Sequence, residues 1–279
     1  MKKSIGDNMI PKSWALGQGL DLIKNATYEG VDLWMDQTPW FKTSTTDAEL
    51  LQLRRAVESA GLVVTNVSTE LHWKFPISSP DKKIRDYGIR VVERQIEAAV
   101  LLGCDVVLVV PGQVNRDTNY NDVYNRSVEA LQALAPAAEK ANVMIGCEPN
   151  TCYQRFLLSP HEYAQFLDDV GSSHVGVLLD TANAHDLGFA EQWIRILGNR
   201  ITQLHLRDTL YMRGHSDEDT TATCLFLGDN DWPAIRNALD DIGYDGWLIA
   251  EPNPRYRYAR DLQFYEAAAA IDRFISRRF

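Results

Sequence analysis

Seven short β-branched runs, "EGVDLWM", "LVVTNVSTE", "CDVVLVV", "NVMIGCE", "VGVLLD", "ITQLHL" and "GWLIAE", alternate along the chain with longer amphipathic stretches, each run bounded by Gly, Asn, Asp or Pro. A weaker eighth run lies within residues 2–10. A helix between two strands returns the chain to the same end of a sheet, so consecutive strands pair in parallel. Eight such units are what a closed (β/α)8 barrel requires, and the near-continuous apolar character of the runs suits strands covered by helices.

Helices are expected over 46–60, 80–102, 120–141, 159–170, 191–197, 232–242 and 260–277. Ser159-Pro160 supplies a capping hydroxyl followed by Pro in the first helical position, while Gly103 and Gly171 stand where helices end. The chain, 1–279, thus reads as one α/β domain, a single (β/α)8 TIM barrel. The competing arrangement, an open doubly wound sheet, wants a Gly-rich phosphate loop after its first strand. "GQGLDL" at Gly17 has neither the spacing nor a preceding apolar strand for that role.

With 45% hydrophobic and 24% charged residues over 279 positions, the chain is long enough to bury a full core. Its net charge of −10 argues against nucleic acid as a partner. "MKKSIGDNMIPKSW" lacks the apolar stretch of a signal peptide, and no segment approaches a membrane span, so a cytoplasmic protein without a membrane partner is expected. Cys104, Cys147, Cys152 and Cys224 show neither CxxC pairing nor zinc-ribbon spacing and read as free thiols.

Four consecutive runs finish on a metal-competent side chain: Glu148, Asp180, His205 and Glu251. Side chains alternate faces along a strand, which sets Glu148 with Gly146, Asp180 with Leu178, His205 with Gln203 and Glu251 with Ile249. All four can therefore point into a barrel from the C-terminal rim, where active sites of this architecture are built. Three carboxylates converging there would repel one another and lose hydration, so they need a cation or shared protons. Three oxygen ligands and one imidazole suit Mn²⁺, Mg²⁺ or Co²⁺ better than a structural Zn²⁺ site, although catalytic Zn²⁺ also fits. Taken singly, an Asp or Glu at a strand end serves more often as a cap or a loop salt bridge. It is the repetition over four strands with one parity that points to a metal.

Other rim positions have two readings each. Glu70 and Gln113 can bind substrate hydroxyls or join a charge network, and Asp208 is placed to orient His205 or Arg207. Trp14, Trp34 and Trp73 read as core or lid packing before sugar platforms. The excursion "RDTLYMRGHSDEDTTATCLFLGDND" is too polar and broken to be only a helix.

This constellation resembles the xylose-isomerase-like sugar isomerase/epimerase superfamily, which includes ketose 3-epimerases, hydroxypyruvate isomerases and phosphosugar epimerases. Besides the four strand ends, "ELHWKFPISSPDKKIRDYGIRVVERQIEAAVLLGCDVVLV" and "DWPAIRNALDDIGYDGWLIAE" carry the likeness. The resemblance implies that Glu148, Asp180, His205 and Glu251 hold one divalent ion, Mn²⁺ first. It further implies that Glu148 and Glu251 act as acid and base through a metal-stabilised enediolate, and that the protein is a dimer or tetramer acting on a small sugar or sugar phosphate.

Two departures from the family concern the substrate. Asn183 stands where many members have His three residues after the strand-6 Asp, with His185 two further on as a rim ligand or a loop histidine. Tyr211 replaces the ketose 3-epimerase Arg, a role that Arg213 or Arg207 can fill. The resemblance implies 3-epimerisation of a ketose or ketose phosphate. Alternatives are aldose–ketose isomerisation, a sugar lyase or dehydratase, and, further off, a non-catalytic sugar-binding subunit. The superfamily's endonuclease branch needs more histidines at strand ends than this chain carries.

Overall fold

The structure is a computed structural model that describes residues 1–186, 188–211, 220–252 and 256–279. The strands are β1 (Lys2–Gly6), β2 (Gly30–Met35), β3 (Val63–Thr69), β4 (Val106–Val109), β5 (Met144–Cys147), β6 (Val175–Asp180), β7 (Ile201–Leu206), β8 (Asp208–Tyr211), β9 (Thr220–Thr223) and β10 (Trp247–Ala250). Strands β1 to β7 and β10 close in the order β1-β10-β7-β6-β5-β4-β3-β2, every neighbouring pair parallel. All eight runs read from the sequence are barrel strands, and the fold is a (β/α)8 TIM barrel.

Strands β8 and β9 form an antiparallel pair outside the barrel, inside the polar excursion. The covering helices Asp47–Ser59, Lys82–Leu102, Tyr120–Ala141, Pro160–Val170, Ala190–Leu197, Trp232–Asp241 and Leu262–Ile275 fall where the apolar spacing places them. Glu162 N donates to Ser159 Oγ at 3.2 Å, the expected cap, and Gly103 and Gly171 end their helices in the left-handed region at φ 79° and 73°.

The short helices Leu71–Lys74, Thr151–Gln154 and Thr181–Asp186 lie outside the predicted set, as does Leu16–Asn25, where Gly19 is unfavourable to a helix interior. Its reason is steric: a Cβ on Gly19 would collide with the Ile10 side chain, so glycine lets this helix pack close. No helix among the described residues is long and apolar enough to cross a membrane. Cys104 and Cys147 are buried free thiols and Cys224 a half-buried one, while nothing is described of the Cys152 side chain.

The main core lies between barrel and helices. Inside the barrel, apolar Leu108, Val110 and Leu178 share the space with buried Ser4, Asp32, Asn66, Ser68, Gln203 and His205. Two register shifts set this layer. Between β2 and β3, Val31 pairs with Val64 but Asp32 with Asn66, leaving Thr65 extra; its hydroxyl meets Ser4 Oγ at 2.8 Å. Between β6 and β7, Val177 pairs with Ile201 but Leu178 with Gln203, so Asp180 comes to lie opposite His205. An extra residue of this kind locally re-aims the side chains that follow it.

Candidate active site

Asp180 is the last residue of β6 and His205 the penultimate residue of β7, while Glu148 and Glu251 lie one residue past β5 and β10. The backbone keeps the two glutamates in the ladder: Glu148 N donates to Val109 O at 2.9 Å and Glu251 N to Leu206 O at 3.2 Å. Glu148, Asp180 and His205 each offer a ligand atom, all within 4.8 Å of one another. Glu251 joins them from the next strand, its Oε2 3.8 Å from His205 Nδ1, beside Glu148 Oε1 at 3.4 Å from the same nitrogen.

Both ring nitrogens of His205 and Asp180 Oδ2 are buried without a hydrogen-bond partner. Buried polar atoms are normally paired; the unbonded His205 Nδ1, beside the carboxylates of Glu148, Asp180 and Glu251, completes a set of lone-pair donors suited to a divalent ion. Asn150 Nδ2 donates to Glu148 Oε2 at 3.2 Å, and Asn183 N to Asp180 Oδ1 at 2.8 Å, which hold these two carboxylates in place.

The crowding shows in the protonation equilibria. Burial pushes the Glu251 carboxyl up to about 7, with Asp180 and Glu148 adding repulsion and with Arg207 and His205 opposing it. For His205 burial disfavours the charged ring, but Glu148, Glu251 and Asp32 outweigh it and push the imidazole up to about 9. The second cation is Arg207, whose Nε lies 3.1 Å from Asp180 Oδ2 and 3.9 Å from Glu251 Oε2, and whose guanidinium bonds the Asn183 side chain.

Above the cluster opens a cavity of about 480 Å³. Glu148, Glu251 and Arg207 form its floor, with Glu70, Gln113 and Asn150 among its polar walls and Trp34, Trp73, Leu108 and Val110 among its apolar ones. Glu70 and Gln113, both singled out in the sequence, therefore face the cavity. Trp34 stacks on the His205 ring at 6.4 Å and 26°, and Trp73 meets Tyr153 edge-on at 6.2 Å, so these two indoles are site walls as well as packing.

Other expected residues lie elsewhere. Asn183 is buried, its side-chain oxygen accepting from Arg207, and His185 packs against Phe189 at 6.5 Å; both stand on the short helix Thr181–Asp186, and neither is among the residues lining the cavity. Arg213 lies outside the described residues. Asp208 does not orient His205 or Arg207 through its carboxylate. It accepts from the backbone N–H of Thr209, Phe226, Gly228 and Asn230 and from Trp232 Nε1, at 2.9 to 3.4 Å, because its side chain points under the excursion it ties down. Asp32, Asn150 and Tyr153 were not anticipated. Asn150 alone had a local signal, standing two residues after Glu148.

The chain matches the Xylose isomerase-like TIM barrel family over residues 20–271 and belongs to it. A D-psicose 3-epimerase of Enterocloster bolteae is 27% identical over 215 residues, 75% of this chain and 67% of the relative. A putative L-ribulose-5-phosphate 3-epimerase, SgbU, of Haemophilus influenzae is 22% identical over 253 residues, 90% of this chain and 88% of the relative. The crystal structure of the IOLI protein with a binding zinc atom superposes with a TM-score of 0.80 at 20% identity, covering 100% of this chain and 99% of that one. These two relatives carry 3-epimerase names, the second as putative, and this chain is an enzyme of the isomerase class.

Proposed function

We propose that this protein is a divalent-metal-dependent ketose 3-epimerase. The observation that carries the reading is the placement of Glu148, Asp180, His205 and Glu251 on four adjacent barrel strands, β5, β6, β7 and β10, with the two glutamates at the ends of the arc. When bound by these four side chains, a divalent ion, Mn²⁺ first, would polarise a ketose carbonyl and its neighbouring hydroxyl and lower the cost of the charge that develops as C3–H is broken. Glu148 and Glu251 reach the cavity from different strands. One carboxylate removes the C3 proton and the other returns a proton to the opposite face, which inverts that centre.

The 3-epimerase names of the curated relatives and the zinc held by a structural neighbour support the reading. The test is incubation of free and phosphorylated ketoses in D₂O with Mn²⁺. Deuterium at C3 with inversion is expected; label at C1 or C2 with an aldose product would make it an aldose–ketose isomerase, and loss of water a lyase. Absence of exchange in every sugar would overturn enediolate chemistry here.

A further inference from the structure

His205 is flanked by carboxylates on both edges of its ring. Nδ1 faces Glu148 and Glu251, whereas Nε2 faces the other way, 3.8 Å from Asp32 Oδ2, with no hydrogen-bond partner of its own. Asp32 is fully buried on β2. The Ser68 hydroxyl lies 2.9 Å from both of its oxygens, and Asn66 Nδ2 donates to Ser68 Oγ at 3.0 Å. This chain of polar groups crosses the barrel interior and ends behind the histidine.

An imidazole can bind a metal through Nδ1 only when that nitrogen is bare and the proton resides on Nε2. A carboxylate facing Nε2 stabilises that tautomer, since a bare Nε2 would set its lone pair against the negative oxygens. We propose that Asp32 is the positioning residue for His205, holding the proton on Nε2 and turning the Nδ1 lone pair toward the ion, with Ser68 and Asn66 fixing Asp32. Partners behind a metal-bound histidine typically matter 10- to 100-fold in affinity. The inference rests on the metal-site reading given above.

The experiment is a calorimetric titration of metal-stripped protein with Mn²⁺ at fixed pH, on the wild type and on Asp32→Asn and Ser68→Ala. Wild type is expected to bind one equivalent, Asp32→Asn to bind about 10- to 100-fold more weakly, and Ser68→Ala to fall between. Wild-type binding with unchanged affinity in Asp32→Asn overturns this proposal alone. No binding by the wild type overturns the metal-site reading and this proposal with it.

Nitrogen-15 NMR of histidine-labelled, Zn²⁺-loaded protein reads the tautomer directly, with His205 assigned by His205→Asn. Nε2 protonated and Nδ1 bare is expected in the wild type. The reverse assignment overturns the proposal even if Asp32→Asn does not fold.

Discussion

Arg207 Nε lies 3.1 Å from Asp180 Oδ2, so a guanidinium from just past β7 neutralises the one cluster carboxylate that is wholly buried. The Asp180–His205 cluster thus has a cation of its own. Removing one partner of a buried pair costs about 3–5 kcal/mol, and Arg207 is largely buried. Arg207→Met is therefore expected to lose roughly 3 kcal/mol of unfolding free energy in chelator and clearly less with saturating Mn²⁺, because the ion then compensates Asp180. Urea unfolding under both conditions measures this. An equal loss in both would show that the ion and Arg207 do not share Asp180.

The two glutamates and the aspartate should separate kinetically. Glu148→Gln and Glu251→Gln are each expected to cut turnover by about 10² or more at saturating metal, a typical loss for a positioned proton-transfer group. Asp180→Asn should act chiefly by weakening metal binding. Steady-state kinetics over a Mn²⁺ series gives the distinction, and near-normal turnover in Glu251→Gln at saturating Mn²⁺ would remove Glu251 from the proton path.

Asp7 predicts a pH dependence of stability. It accepts from Trp34 N at 2.8 Å and Trp40 Nε1 at 2.7 Å. Burial pushes its carboxyl up to about 8, the two bonds pulling the other way and the charge of Asp32 adding to the rise. An unfolded Asp releases its proton near pH 4, about its ordinary value. The folded chain keeps that proton longer, so this group's contribution to stability is full below about pH 4 and is lost as pH rises through about 8. Asp7→Asn has no proton to lose. Its stability relative to the wild type should rise across that window by up to about 1.4 kcal/mol per pH unit, which chemical denaturation at several pH values would show. A constant gap would mean that Asp7 titrates normally.

Asp208 organises the segment after β7. Asp208→Ala leaves four backbone N–H groups and one indole N–H without their acceptor. The expected cost is roughly 3 kcal/mol or more, since each stranded buried donor is costly. Mn²⁺ affinity should change only a few-fold, because Asp208 touches none of the four proposed ligands. A selective collapse of metal affinity at unchanged stability would restore Asp208 to the metal site.

What the sequence by itself determined is whatever depends on neighbours along the chain. Alternation of faces has a period of two, so the common inward parity of Glu148, Asp180, His205 and Glu251 could be read from four short runs. The helix ends at Gly103 and Gly171 and the cap at Ser159 are equally local. Helix Leu16–Asn25 is not legible in the same way, because Gly19 answers to Ile10 across a packing contact and not to its own helix.

Only the tertiary structure decided the rest. Asp32 and His205 sit on β2 and β7, with β1 and β10 between them, so they meet only across a closed barrel. The one-residue register shift between β6 and β7 brings His205 opposite Asp180. Asp208 exchanged its expected role for the donors of a segment some twenty residues further along, and Arg207 found Asp180 on the neighbouring strand. Such partners are set by barrel closure and strand register, quantities that depend on every strand at once and leave no mark in any single stretch of sequence.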